Sequence, residues 1–226
     1  MSEQVVLQDP KQPLLEAEMP RPREVVRSLV SARVTRLSKT LDTSATKAML
    51  AKLRANVGRE PGTDESIWAY TMEGVSPEAR DDGPTRAERA VHTALTLYAA
   101  HQQSRQQSAH ISGVGFGQAV KRLEGKNGEG NQNSISPVRR RFNAVVTSAS
   151  YDELTYHLRG LIRQMRGADI KLDYGLLAQD LFDFQCSGRA DDVRRRWARQ
   201  YHQLSKANEN NQTQPDTDTV ITEENS

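Results

Sequence analysis

Three consecutive guanidinium groups, in Ser136-Pro137-Val138-Arg139-Arg140-Arg141-Phe142-Asn143, sit just inside what reads as the first turn of a helix. Cations oppose the partial positive charge of a helix N-terminus, so stacking them there costs stability unless an anion arrives. The chemistry that fits is phosphate binding. Arginine supplies 23 of the 31 basic residues, which favours planar, bidentate contacts with phosphate over simple solubility. Net charge hides this bias, because 31 Lys+Arg stand against 29 Asp+Glu. Residues 1–20 carry four acids (Glu3, Asp9, Glu16, Glu18) and one base (Lys11), and residues 207–226 carry five acids and no base. Between Arg21 and Lys206 that leaves 30 bases against 20 acids, a net +10. A polyanion is the expected partner.

Other residue types that could do chemistry lack the required spacing. Gly113-Val114-Gly115-Phe116-Gly117 follows no strand, breaks the dinucleotide-binding pattern and is not followed by Gly-Lys-Ser/Thr, so it reads as a turn into a helix. His92, His101 and His110 recur nine apart rather than four, and with Cys186 as the single cysteine no zinc-ligand pattern emerges. Asp180 with Asp183, and Asp191 with Asp192, are explained by helix amphipathicity and first-turn dipole complementarity. No catalytic residue, metal or cofactor is expected. The lone cysteine suits a reducing cytoplasm, no apolar run approaches the ~20 residues of a membrane span, and residues 1–22 are too acidic and proline-rich for a signal peptide. A soluble cytoplasmic protein is expected.

The elements that must position the arginines are helices. Apolar residues recur at helical spacing over Arg23–Leu37 and Ser44–Val57, and Gly58 stops the second run. A short helix follows Asp64. Thr85 and Glu88 form a capping box opening a helix whose apolar residues surround most of its circumference, which places it centrally. Gly115–Leu123 is a further short helix. Ser136 caps the next, with Pro137 at its first position, and Ser150 with Glu153 forms a second capping box before a helix ending at Gly167. Asp173 caps Tyr174–Gln185, and Ala190–Ser205 is the last helix. The expected fold is all-α: a helical bundle over residues 22–206, read as two packed helical subdomains divided near 102–135, with one continuous bundle as the alternative. Residues 1–21 and 207–226 read as a disordered proline-rich start and a disordered acidic tail.

At about 100° per residue, Val138, Phe142, Val145, Val146 and Ala149 form one stripe, flanked by Arg139 and Arg141, with Arg140 nearly opposite. In the following helix Arg159, Arg163 and Arg166 fall within about 60° of one another, away from the Leu154–Leu158–Leu161–Ile162–Met165 face. In the last helix Val193, Trp197, Tyr201 and Leu204 face inward, leaving Arg195, Arg196 and Arg199 outside. Each helix therefore keeps a clean apolar seam and carries arginines outside it with few acids interleaved. A generic solvated face mixes signs, so the pattern points to nucleic acid. Acidic protein partners are the competing explanation.

Read together, Gly113-Val114-Gly115-Phe116-Gly117-Gln118-Ala119, Arg139-Arg140-Arg141-Phe142-Asn143, Leu158-Arg159-Gly160-Leu161 and Leu172-Asp173-Tyr174-Gly175-Leu176-Leu177-Ala178 resemble the CasB family. CasB is the small subunit of the type I-E CRISPR surveillance complex Cascade. Ala90–Gln103 resembles the family's central helix, and the likeness covers about Arg23 to Ser205. It implies an all-helical, non-catalytic protein in two copies along the inner face of Cascade, beside the backbone and large subunits, the guide RNA and the target strand. Its basic surface would help hold the displaced non-target DNA strand. Family arginines correspond to Arg54, Arg86, Arg139 and Arg140; Arg141, Arg159, Arg163, Arg166, Arg195 and Arg199 join the candidate nucleic-acid-binding set from the charge pattern. The long start, the Glu124–Asn133 loop and the acidic tail depart from the family pattern.

Overall fold

The computed structural model describes residues 21–75, 83–126 and 135–211. The start through Pro20, most of the Glu124–Asn133 loop, the tail from Gln212 and the Leu204 side chain lie outside the described residues. Among the described residues are nine helices: α1 (Pro22–Lys39), α2 (Ser44–Ala55), α3 (Glu65–Met72), α4 (Arg86–Gln102), α5 (Phe116–Lys126), α6 (Pro137–Thr147), α7 (Tyr151–Gly167), α8 (Tyr174–Phe184) and α9 (Ala190–Asn211). The fold is an all-α bundle. None of these helices is long and apolar enough to cross a membrane.

Local chemistry sets most boundaries. Thr85 and Glu88 make the full reciprocal box, with Glu88 N–H donating to Thr85 Oγ1 at 3.2 Å and Thr85 N–H donating to Glu88 Oε2 at 2.7 Å. At α7 the box is altered. Glu153 N–H donates to Ser150 Oγ at 3.1 Å, but the Glu153 carboxylate accepts from Ala149 N–H at 2.8 Å rather than from Ser150. Ser136 Oγ accepts from Arg139 N–H at 3.0 Å, so the triple arginine does begin a helix. α2 ends at Ala55, and the chain turns through Gly58, whose φ of +79° favours a residue without a β-carbon. α9 continues to Asn211, past the apolar spacing that marks its buried face.

α4 lies at the centre, packed by α1, α2, α3, α7 and α8, and its Ala90, Val91, Ala94, Leu95, Tyr98 and Ala99 are fully buried. Alanines at these contacts let five neighbours approach one helix. α5, α6 and α9 pack on one another; α7 joins them to α4, and α8 joins α9 to α1 and α4. The buried apolar side chains form one connected core through both groups.

The glycine-rich segment is explained by packing. Gly113 N–H donates to Asp173 Oδ2 at 2.8 Å, while Asp173 Oδ1 caps α8 by accepting from Gly175 N–H at 2.9 Å and Leu176 N–H at 3.1 Å. The Asp173 carboxylate thus ties this segment to the start of α8. Gly117 faces the Trp197 carbonyl of α9 so closely that a β-carbon would collide with it.

Candidate nucleic-acid interface

α2, α4 and α7 converge on a groove lined by Arg54, Arg159, Arg163 and Arg166 together with Val57, Leu97 and Gln103. Four of the ten arginines singled out in the sequence, from two helices a hundred residues apart, therefore share one depression. Arg159 Nη2 donates to the Val57 carbonyl at 3.3 Å, and Arg166 Nη1 donates to Gln103 Oε1 at 2.5 Å. These two side chains are held by neutral groups that leave their charge unspent. Arg163 is exposed.

The groove continues toward α6. Arg163 and Arg159 also line a second depression with Gly160, Tyr156, His157 and Arg141. A third, sharing Arg141, Tyr156 and His157, adds Arg140 and Pro137. Gly160 lies beneath the Arg141 side chain where α6 meets α7: a β-carbon there would lie 3.1 Å from Arg141 Cδ. The result is a basic arc of six arginines, with Arg159, Arg163 and Arg141 as shared walls.

None of these six is in a salt bridge among the described residues. Arginines elsewhere do pin carboxylates. Arg23, Arg189 and Arg196 meet Asp183 at 3.5, 3.1 and 3.3 Å, and Arg196 Nε lies 2.9 Å from Asp180. Leaving several cations near one another without counter-charge is unfavourable in the isolated chain, and it is what an anion-binding surface requires.

The sequence profile of the CRISPR-associated protein Cse2 family matches residues 49–202. The chain belongs to that family. A crystal structure of CasB from Thermobifida fusca is 34% identical, with a TM-score of 0.64 over 78% of this chain and 97% of that one. CasB from Thermus thermophilus, at 20% identity, has a TM-score of 0.57 over 78% and 97% of the two chains. A chain of a CRISPR RNA-guided surveillance complex, also 20% identical, has a TM-score of 0.64 over 83% and 99%. No curated protein matches the sequence.

The remaining sequence-selected arginines of this Cse2-family chain lie apart from the arc. Arg139 is exposed on α6 but is absent from the lining of all three depressions; its charge acts on Tyr201 of α9 instead. Arg86 is exposed at the opposite end of α4 from the groove, with Nη1 3.9 Å from Cys186 Sγ and its carbonyl accepting from Gln185. On α9 the expectation of few interleaved acids fails. Arg194 and Arg195 pair with Asp191 and Asp192 one turn back, at 2.7 and 2.5 Å, and Arg196 turns to the buried acids of α8. Arg199 is exposed without such a partner among the described residues. The Asp191 and Asp192 partners stand at i, i+3 on α9 itself, whereas the Arg196 pairing lay beyond a wheel projection because Asp180 and Asp183 come from α8, which packs on α9 only in the folded chain.

Asp180 and Asp183 are likewise more than amphipathic decoration. They are 5% and 2% exposed, and Asp180 also accepts from Trp197 Nε1 at 2.6 Å. Burial raises the Asp180 carboxyl from an ordinary 3.8 to about 6, against the opposing pull of Arg196 and Trp197. The histidines are packing residues. His101 Nδ1 lies 2.9 Å from the Tyr174 hydroxyl, and burial, with Arg105 nearby, pushes its imidazole down to about 3. His92 Nε2 lies 3.3 Å from the Asn56 carbonyl, and His110 Nδ1 accepts from Tyr174 N–H at 3.2 Å. Among the described residues, no three His, Cys, Asp or Glu side chains come together as a metal site.

Tyr156, in the middle of the arc, escaped the sequence reading. The signal was present: Tyr156, Arg159 and Arg163 stand at i, i+3 and i+7 on α7, one face of the helix.

Proposed function

We propose that this chain is the non-catalytic small subunit of a type I-E Cascade complex and that its arginine arc holds the displaced DNA strand while the guide RNA pairs with the target. The observation that carries this reading is the set of six arginines, Arg54, Arg140, Arg141, Arg159, Arg163 and Arg166, that share one groove system and, among the described residues, have no carboxylate partner within salt-bridge distance. Opening a duplex onto a guide exchanges base pairs of similar stability, so modest protein contacts to the released strand tip the balance toward the R-loop. Arginines on rigid helices suit this task because they grip phosphates without reading sequence. Membership of the Cse2 family and the fold shared with a chain of an RNA-guided surveillance complex support the same assignment. Other Cascade subunits, a second copy of the chain and the guide RNA are the further partners, in the cytoplasm. Arg86, Arg139, Arg195 and Arg199 lie outside the arc.

The test is a gel-shift titration of the assembled complex carrying Arg54→Glu, Arg159→Glu and Arg163→Glu. Complex of normal composition with weakened target binding is expected. Unchanged target affinity would overturn the reading and favour a scaffold whose arginines meet acidic protein partners.

A further inference from the structure

We propose that Tyr156 is a stacking platform for an unpaired base within the arginine arc, so that the bound strand turns at least one base toward the protein. The inference rests on the strand-binding reading above and deepens it from phosphate grip to base contact.

Tyr156 is 69% exposed, more than Trp68 at 51%, the next most exposed aromatic side chain. It is also the tyrosine without an internal role. Of the six in the sequence, five aim the hydroxyl at a protein partner: Tyr70 at the Arg33 carbonyl, Tyr98 at Ser38, Tyr151 at Thr93, Tyr174 at His101 and Tyr201 at Glu124. Among the described residues Tyr156 has no such bond. Arginine and lysine cover the rings of Tyr70, Tyr201 and Phe184, but among the described residues none covers that of Tyr156. Among the described residues its aromatic neighbour is His157, with ring centroids 5.3 Å apart and the planes at 75°, so the two rings are not stacked face to face. His157 in turn lies 4.0 Å from Glu153, on the side toward the start of α7.

Position gives the exposed ring its meaning. Tyr156 forms the wall between the depression of Arg140 and Arg141 and that of Arg141, Arg159 and Arg163. A strand whose phosphates follow those arginines must pass over it. From Tyr156 to Arg163 is about 10 Å along α7, at about 1.5 Å per residue, so the ring and the next cations are within the reach of neighbouring nucleotides. Proteins that hold single strands without sequence preference combine a basic groove with an aromatic ring because every base has a π-face. A duplex hides those faces. The arc with Tyr156 therefore suits single-stranded DNA.

The experiment uses the full chain with oligothymidylate and with an abasic strand of equal length, which keeps the phosphates and lacks the bases. Tyr156→Ala should weaken oligothymidylate binding by about tenfold, within the range that stacking one base on an aromatic ring contributes, and leave abasic-strand binding unchanged. Tyr156→Phe should bind both as the parent does, and a 5-iodouracil-substituted strand should photo-crosslink to Tyr156. Equal losses on both strands, or unchanged oligothymidylate affinity in Tyr156→Ala, would overturn the stacking role. Binding that persists in Tyr156→Ala but vanishes in Arg159→Glu with Arg163→Glu would leave strand binding standing without it. A parent chain that binds neither strand would defeat the strand-binding reading itself.

Discussion

Arg159 of α7 donates from Nη2 to the Val57 carbonyl at 3.3 Å, which lays its guanidinium over Gly58 at the end of α2. One hydrogen bond thereby connects the turn after α2 to the middle of the basic arc, and it depends on the absence of a side chain at residue 58.

Gly58→Ala should act twice. Its φ of +79° is unfavourable for an L-residue, at about 1–2 kcal/mol, and the new methyl displaces the Arg159 guanidinium. Urea denaturation should show the stability loss, and strand titration a severalfold weaker affinity. Arg159→Ala should lower affinity with little stability change. A Gly58→Ala protein with parental affinity would show that the Val57–Arg159 bond does not organise the arc.

Strand binding should fall steeply with salt. Each phosphate neutralised on a single strand contributes about 0.7 to the log-log slope, so four to six engaged arginines give a slope of roughly −3 to −4. Reversing Arg159 and Arg163 together should reduce its magnitude by about 1.4. Affinity measured across a salt series decides this, and a slope near zero argues against phosphate contacts.

Gly117→Ala should destabilise the fold rather than the arc. Its β-carbon would meet the Trp197 carbonyl, a backbone atom that moves only if α5 and α9 separate. Overpacking of this kind costs about 1–3 kcal/mol. A denaturation midpoint equal to that of the parent would contradict the close approach of the two helices.

Acid stability should reflect two opposing groups. His101, pushed from 6.5 to about 3 by burial, binds a proton more readily when unfolded, so its contribution is present above pH 6.5 and is lost as pH falls from there toward 3. Asp180, raised from 3.8 to about 6, also binds its proton more tightly in the folded chain, so it adds stability as pH falls from 6 toward 3.8. Asp180→Asn removes the second effect. Thermal unfolding between pH 6 and 4 should therefore show a steeper acid loss in Asp180→Asn than in the parent, and parallel profiles would contradict the buried, proton-binding carboxyl.

Helix order, the caps at Thr85, Ser136 and Asp173 and the central place of α4 were legible from local signals, because periodicity and capping are written within a few residues of one another. The Ser150 cap was legible too, although Glu153 bonds Ala149 N–H rather than closing the box. The CasB likeness was equally readable in short segments in fixed order. Which arginines act together was not. Arg54 and Arg163 meet because α2 and α7 both pack on α4, and Arg196 is neutralised because α8 buries Asp180 and Asp183 against α9. A helical wheel ranks residues around one axis and carries no information about what a neighbouring helix brings. Helical periodicity and the crowding of arginines outside the apolar seams are written along the chain, but which arginines stay unpaired depends on helix packing, since a charge is spent or spared only by groups that folding places within a few ångströms.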